Sequence, residues 1–475
     1  MSIPRVLILL LIVLAGSCGS SGGISGSGNL AAGNSVGPID GFGSVIVNGQ
    51  RFDSSTATIT KDGQLATQGD LRVGQVISVR GDFATLLADT ITYRSEIQGP
   101  VTDVVVEDPV LGLGTIVVLG QTVRVDSQTV FDGTSFALLA TGQLLEISGP
   151  RGANGSVVAT FVQSKSALGD YKVVGKVANT IPATRTFTIG GLTVDALTAD
   201  VGDLPADPSG WNGLVVEAKG NAGDFSSATN TFIASKVEVV VGPSLAAGST
   251  LELEGFVTDF VSPAQFEVLG FPVRTTASTV FQNGTSASLG NNVKVQLRGQ
   301  VASDGVLLAS TCEIRSTGVL RTRGDVAAVD VVTGIVTVLG VEWEVRPETE
   351  LEDDSDADLE PFTLLDLDPG DQVEVRGYLD GTQAVASFLE RENEEDDTSL
   401  RGPVTSIDLA QFEVEILGTR IRTDGSTQYR DENDAPMTQQ AFFDALELGT
   451  FAKAEWDMFL GIDLPVDELS LEDDD

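Results

Sequence analysis

The sequence predicts an all-β protein with minor α content, built from six tandem copies of one small barrel module. Glycine is abundant, with 53 in 475 residues, which is typical of a chain with many turns. Apolar and polar residues alternate in short runs, the period of half-buried strands. Three short marks also recur in the same order six times, and such internal repetition indicates repeated domains rather than one large core.

The first mark is a glycine that opens a predicted strand and is followed two residues later by an apolar residue. Its copies are Gly37, Gly99, Gly175, Gly255, Gly324 and Gly402. We expect each to begin the first strand of one module.

The second mark is a hairpin with the pattern apolar–x–apolar–x–Gly–x–x–apolar, as in "VIVNGQRF" and "IVVLGQTV". Its glycines are Gly49, Gly120, Gly191, Gly270, Gly340 and Gly418, spaced 71, 71, 79, 70 and 78 residues apart. Alternation broken by a glycine that can adopt positive φ predicts a tight strand–turn–strand unit. These are the second and third strands.

The third mark is Gly–x6–Gly framing a fourth strand, as in "LRVGQVISVRG" at Leu71–Gly81. Asn292 replaces the first glycine in the fourth copy and Trp456 the second in the sixth. A fifth strand closes each unit, for example "ASTCEI" at 309–314, and the insert "MTQQAFFDALELG" has helical spacing. Five strands with a helix between the third and fourth favour an OB-like barrel; an SH3-like barrel is the alternative.

These marks divide the chain into a leader, a tether and six modules. The predicted ranges are a signal peptide at 1–18, a Gly/Ser tether at 19–36, and modules at 37–97, 98–168, 169–242, 243–316, 317–395 with an acidic insert, and 396–475 with an acidic tail.

The composition excludes several classes of function. The formal net charge of -40 repels phosphate backbones, so we expect no nucleic-acid partner. The chain has no histidine, which removes the usual general base and the Ser-His-Asp and Cys-His nucleophile systems. In addition, no copy of the module contains a distinctive constellation of polar residues, and we predict that the protein is not an enzyme.

The N-terminus, "MSIPRVLILLLIVLAGSC", has a basic residue, a short apolar run and small residues before Cys18. It resembles a bacterial lipoprotein signal peptide, and an ordinary secretory signal is the alternative. The resemblance implies that Cys18 is lipidated, and Gly19 after it implies an outer-membrane lipoprotein. The membrane would then be a partner through the lipid anchor.

The phrases "GFGSVIVNGQRFD" and "DLRVGQVISVRG", with the cysteine motif, also resemble a family of tandem domains of unknown function in predicted bacterial lipoproteins. The resemblance is close over 37–316 and looser over 317–470. It implies a β-barrel-like module outside the cytoplasm and no known catalytic residues.

Two sets of residues are candidates for binding. Asp354, Asp356 and Asp358 alternate as calcium ligands do, although the EF-hand pattern fails and a solvated acidic loop is the alternative. Trp211 and Trp456 fall outside the regular apolar positions and are candidates for a binding surface. Phe52, Trp343 and Cys312, by contrast, occupy repeat positions that are apolar in the other copies, so we expect them in the core.

The sequence thus predicts an exported, lipid-anchored, non-catalytic envelope protein that binds an envelope protein or a polysaccharide, or acts as a spacer. We expect no cofactor other than calcium. The alternatives are a carbohydrate-active enzyme that uses carboxylates of the last two modules, and a weakly calcium-binding adhesin.

Overall fold

The structure is a computed structural model that describes residues 32–472 except 43, 109–112, 127, 241, 243–244, 316–319, 394–397, 433 and 457–463. Nearly all regular structure in these residues is β, with one α-helix and several short 3-10 turns. No helix among them is long and apolar enough to cross a membrane.

Modules 1 and 2 occupy the first third of the chain. The strands of module 1 are β1 (Ala32–Phe42), β2 (Val45–Val47), β3 (Gln50–Phe52), β4 (Thr58–Lys61), β5 (Gln64–Ala66), β6 (Val76–Asp82) and β7 (Leu87–Tyr93). Those of module 2 are β8 (Ile97–Asp108), β9 (Leu113–Val118), β10 (Gln121–Val125), β11 (Val130–Asp132), β12 (Leu144–Ser148), β13 (Val157–Val158) and β14 (Phe161–Lys165).

Modules 3 and 4 follow with the same plan. Module 3 has β15 (Asp170–Ile181), β16 (Thr186–Ile189), β17 (Leu192–Asp195), β18 (Val215–Asn221), β19 (Phe225–Ser226), β20 (Thr231–Ile233) and β21 (Lys236–Val239). Module 4 has β22 (Thr250–Ser262), β23 (Gln265–Val268), β24 (Phe271–Arg274), β25 (Val280–Gln282), β26 (Lys294–Val301) and β27 (Leu307–Arg315).

Modules 5 and 6 complete the chain. Module 5 has β28 (Leu320–Asp330), β29 (Ile335–Val338), β30 (Val341–Asp353), β31 (Gln372–Asp380) and β32 (Gln383–Arg391). Module 6 has β33 (Thr398–Asp408), β34 (Glu413–Ile416), β35 (Thr419–Ile421), β36 (Gln428–Arg430), β37 (Pro436–Met437), the helix α1 (Gln439–Ala445), β38 (Phe451–Trp456) and β39 (Glu468–Glu472).

Every module closes its sheet in the same order. The first strand pairs with the second and the fourth, the fourth with the fifth, and the fifth runs parallel to the third, as β24 and β27 do. In modules 1 and 6 the contact between third and fifth strands is a single parallel bridge just after the third strand, Asp53 with Leu87 and Arg422 with Pro465. This order, 1-2-3-5-4-1, confirms the OB-like barrel and not the SH3-like alternative. Closing a sheet in this way removes the exposed edges that an open sheet would have.

The glycine of the first mark lies inside the first strand, so the prediction that it begins the strand is wrong. A β-carbon at Gly99 would come within 2.5 Å of Leu119 Cγ, and one at Gly402 within 2.6 Å of Leu417 Cγ. Both leucines stand in the two-residue hairpin turn with φ near +50°. The glycine is required because the turn residue folds back over the first strand.

The two glycines of the third mark have different roles. Gly74 and its counterparts adopt positive φ, as does Asn292 with φ of 68°, which forms a turn before the fourth strand. Gly81 instead lies within β6 at a β-bulge, where a β-carbon would meet the Leu87 carbonyl oxygen at 2.1 Å. The second glycine therefore allows the two strands to approach where the barrel coils.

The six barrels are joined in pairs through their first strands. β8 pairs antiparallel with β15, and β28 pairs antiparallel with β33. β1 pairs with β22 in parallel, so module 1 joins module 4, which is distant in sequence. Modules 2 and 3 share one continuous apolar core, as do modules 5 and 6, whereas modules 1 and 4 keep separate cores.

The structure shortens the predicted tether and contains the predicted helix. The predicted tether ended at residue 36, but residues 32–36 belong to β1, where they pair with β6 and β22, so the tether prediction is too long. Residues 1–31 lie outside the described residues. The helix expected from "MTQQAFFDALELG" is confirmed as α1, which buries Phe442 and Phe443.

Candidate functional site

Arg315 and Asp380 join module 4 to module 5. Arg315 Nη1 lies 3.2 Å from Asp380 Oδ1, and Arg346 Nη2 lies 2.9 Å from the other oxygen of that carboxylate. Burial alone would raise the pKa of Asp380, but the hydrogen bond and charge of Arg346, together with Arg315, outweigh it and lower that pKa. The carboxylate is therefore held ionised between two guanidinium groups.

Lys294 joins module 4 to module 2 beside the first contact. Its Nζ donates to Gln128 Oε1 at 2.7 Å and pairs with Glu254 at 3.2 Å. Module 2 in turn contacts module 1, since Thr160 Oγ1 donates to the Gly74 carbonyl at 2.6 Å. Modules 1, 2, 4 and 5 thus meet at one junction, around a small cavity of about 50 Å³.

Asp40, in module 1, lines the same junction cavity. Its pKa is raised to about 7, first by burial and then by the nearby Glu254 and Asp380, while the Gly49 amide and Arg315 oppose the change. Of the described carboxyls, Glu390 in module 5 also has a pKa raised to about 7, first by burial and then by Glu352 and other carboxylates. Glu390 lines neither the junction cavity nor the larger cleft between modules 2 and 5.

A larger cleft of about 280 Å³ separates module 2 from module 5. Its walls are formed by Gln128, Thr129, Val130, Phe131 and Thr134 of module 2, and by Glu350, Tyr378, Val385, Ala386 and Ser387 of module 5. The lining is a mixture of apolar groups, hydroxyls, one amide and one carboxylate, which is the composition of many small-molecule sites.

A second junction binds module 1 to modules 2 and 3 around a buried lysine. The Lys172 side chain, 2% exposed, is bonded to Asp62 of module 1 and lies 3.6 Å from Glu217 of module 3. Close by, Tyr93 Oη donates to Glu146 at 2.9 Å. Charged side chains at both junctions are therefore engaged in holding modules together.

Each module also exposes apolar side chains near the end of its first strand or in the loop that leads to the second, a region that we call the hairpin tip. The tip residues are Phe42, Val105, Val106, Ile181, Val261, Val331, Val332 and Leu409, each at least 40% exposed. Single exposed apolar residues are common on protein surfaces. Their recurrence at one topological position in all six barrels is the repeated surface feature of the described residues.

Five of the six modules match one known protein family. The model of the family described as "Domain of unknown function (DUF5666)" matches residues 35–92, 98–163, 254–313, 323–390 and 401–454, which together make up more than half of the chain. The chain belongs to the DUF5666 family. No curated protein matches the chain.

The matched ranges correct the expected extent of the resemblance. The last two DUF5666 modules are both matched, whereas module 3, which we expected to be among the closest, is not. The structure nevertheless gives module 3 the same strand order, with β17 parallel to β20 and β15 paired with β16 and β18. The strand pattern is retained there without the family match.

The predicted calcium ligands lie in the loop that follows β30 of module 5. Asp354, Asp356 and Asp358 are all exposed. Among the described residues, no three His, Cys, Asp or Glu side chains are grouped so that they could hold a metal ion. The loop is instead organised by the neighbouring Asp353, whose pKa is held well below its usual value by the paired hydrogen bonds from Arg391.

The predicted binding tryptophans are both core residues, so their assignment to a binding surface is wrong. Trp211 is 1% exposed, packs edge-on against Phe187 at 5.9 Å, and donates from Nε1 to the Pro205 carbonyl at 2.8 Å. Trp456 is 2% exposed at the end of β38. Both positions depart from the apolar pattern of the repeat, yet each side chain packs in the core of its module.

The three residues predicted to lie in the core do so. Phe52, Trp343 and Cys312 are fully buried, as expected, and burial raises the pKa of the Cys312 thiol to about 12. Cys18 lies outside the described residues. The sequence did contain a signal for the hairpin tips, because an apolar residue interrupts the alternation five to eight positions after the first glycine in every copy. No local pattern indicated the cleft or the junctions.

Proposed function

We propose that this protein is a non-catalytic, multivalent binding protein of the bacterial cell envelope, exported and anchored through Cys18, which holds a partner protein by its hairpin tips. The observation that carries the proposal is the exposure of aliphatic or aromatic side chains at the same tip in every module. Equivalent weak contacts raise the overall affinity when several engage one partner. The aliphatic character of most tips favours a protein surface over a sugar polymer.

The joined barrels support a binding role over an extended spacer. A string of six separate modules would hold its far end away from the membrane. The parallel pair formed by Val36 and Leu253, with its neighbours, instead returns the chain from module 4 to module 1. Such a body presents its tips from a fixed framework.

An enzymatic role has less support. A glycosidase needs two carboxyl groups across one cleft. Among the described residues, the two carboxyls with pKa raised to about 7, Asp40 and Glu390, do not both line the junction cavity or the cleft, and Glu350 is the one carboxylate that lines the cleft.

The tips can be tested by stepwise substitution. The full chain is immobilised, and a panel of purified envelope proteins is tested for binding to it. We expect at least one protein of the panel to bind. Its affinity should fall at each step as Val261, then Val332, then Leu409 is changed to serine in the same chain. Leu65 and Leu365, which are 84% and 81% exposed but lie away from the tips, provide matched serine controls. Equal loss in the controls, or no loss in the tip variants, would contradict the proposal.

The anchor has its own test. Cys18→Ala should move the protein from the membrane fraction to the soluble extracytoplasmic fraction, because the lipid would be lost. Unchanged membrane fractionation would contradict anchoring at this residue without affecting the tip experiment.

A further inference from the structure

The cleft between modules 2 and 5 is built from residues that are far apart in the chain. Phe131 lies on β11 and Tyr378 on β31, so each module supplies one aromatic ring. The two modules are not partners in any sheet, and the cleft therefore exists only because the four-module junction holds them together. None of the tip residues lines it.

We propose that this cleft binds one ring of a neutral sugar. The proposal goes beyond the function proposed above, because it concerns a single site at a module junction and a different class of ligand. It rests on the size of the cleft, its hydrogen-bonding groups and its charge.

The volume suits a single ring. About 280 Å³ is equivalent to roughly nine water molecules at ~30 Å³ each. It lies just below the range of drug-sized pockets, about 300–1,000 Å³. A longer oligosaccharide would extend out of the cleft into solvent.

The polar groups suit a ligand with several hydroxyls. Gln128, Thr129, Thr134, Tyr378 and Ser387 all line the cleft. Thr134 Oγ1 accepts a hydrogen bond from Gln143 at 3.0 Å, and Ser387 Oγ donates to the Arg376 carbonyl at 3.3 Å. A hydroxyl has one donor and two acceptor sites, so each retains capacity for a ligand.

The charge excludes acidic sugars. Glu350 is the one charged side chain among the lining residues, and no lysine or arginine lines the cleft. Burial raises the pKa of Glu350, Glu352 raises it further, and Arg376 opposes the change. An anionic ligand would be repelled. A simple amine would use the carboxylate alone and make no use of the hydroxyl groups of the lining, which is why a neutral polyhydroxylated ring fits better.

The experiment is a titration of the full chain with methyl glycosides of glucose, galactose and N-acetylglucosamine, followed by ligand-observed NMR. Glucuronic acid and putrescine serve as the acidic and amine comparators. We expect at least one neutral glycoside to bind and glucuronic acid not to bind. No binding of any neutral glycoside up to ~10 mM, a concentration at which even a ~1 mM dissociation constant gives near saturation, would overturn the proposal. Tighter binding of putrescine than of every glycoside would also overturn it.

A matched pair of variants locates the site. Ser387 and Ser310 occupy the same bulge position of the fifth strand, and Ser310 Oγ likewise donates to the Arg298 carbonyl, at 2.8 Å. Only Ser387 lines the cleft. Ser387→Phe should weaken glycoside binding about tenfold or more by filling the cleft, about 1.4 kcal/mol, whereas Ser310→Phe should leave it within about twofold. Equal effects would overturn the assignment.

A second variant keeps the proposal testable if Ser387→Phe does not fold. Glu350→Gln retains a hydrogen-bond acceptor but removes the negative charge. This variant should therefore still bind the neutral glycoside and should also bind glucuronic acid. If glucuronic acid remains excluded, the role of Glu350 is wrong. Serine substitutions at Val261, Val332 and Leu409 should leave glycoside binding unchanged, which separates this result from the test of the tips.

Discussion

Leu119 lies directly over Gly99, so that a β-carbon on the glycine would come within 2.5 Å of Leu119 Cγ. The leucine adopts a φ of 47°, which is uncommon for a branched side chain, and its side chain folds back from the hairpin turn onto the first strand. The pairs Gly255 with Leu269 and Gly402 with Leu417 repeat the contact. This contact accounts for the glycine of the first mark in these three modules.

Gly99→Ala should destabilise the protein by about 1–3 kcal/mol, because the added methyl overpacks a tight contact. Thermal and denaturant unfolding would measure the change. Gly169→Ala is the control, since nothing lies within 4 Å of a β-carbon there and its φ is not in the left-handed region. We expect that control to stay within about 0.5 kcal/mol. An equal effect of the two variants would disprove the contact.

Lys172→Met should lower the free energy of unfolding by about 3–5 kcal/mol, because it leaves Asp62 and Glu217 without their shared buried cation. Lys176→Met, on the same strand, breaks an ion pair with Asp259 in which both side chains are at least 60% exposed. That change should cost less than about 1 kcal/mol. Urea unfolding of both variants at one pH compares them, and similar losses would show that Lys172 is not a buried link.

Asp40→Asn should stabilise the protein more at pH 8 than at pH 5. The pKa of Asp40 is raised to about 7 in the folded chain from an ordinary value of 3.8, so the folded state holds a proton that the unfolded state has released. Stability from this group is therefore complete below pH 4 and is lost as the pH rises through 7. Asparagine removes that loss and keeps an acceptor for the Gly49 amide.

The control for this pH series is Asp53→Asn. Hydrogen bonds from Ser55 lower the pKa of Asp53, so it is ionised throughout pH 5–8 and its substitution should have the same effect at both values. Chemical unfolding at the two pH values gives the comparison. A pH-independent effect of Asp40→Asn would show that Asp40 does not titrate in this range.

Cys312 should react with a thiol reagent at pH 8 only when the protein unfolds. The residue is fully buried, and burial raises its pKa to about 12, so very little thiolate forms. The measurement uses the Cys18→Ala variant, in which Cys312 is the remaining cysteine. The control adds Ser310→Cys, which places an exposed thiol two residues away on the same strand. The introduced thiol should be labelled promptly in the folded state. Rapid labelling of Cys312 itself would contradict its burial.

Much of each barrel was predictable because its determinants are local. The hairpin glycines, the positive φ at Gly74 and Asn292, and the helix α1 follow from turn chemistry and periodicity within a few residues. Trp211 and Trp456 were misjudged for the same reason. Departure from the repeat pattern predicts an exposed residue, whereas both side chains are buried in the cores of their modules.

The sequence by itself determined the number of modules, the succession of strands along each copy and most of the core positions, since alternation and turns are local to each copy. Only the tertiary structure decided how the modules join. Ser35 donates to Glu252 at 3.2 Å across 217 residues of chain, and Arg315 meets Asp380 between two modules. Such contacts depend on which surfaces come together after each barrel has formed. The cleft and the junctions arise there, and no local pattern of residues encodes them.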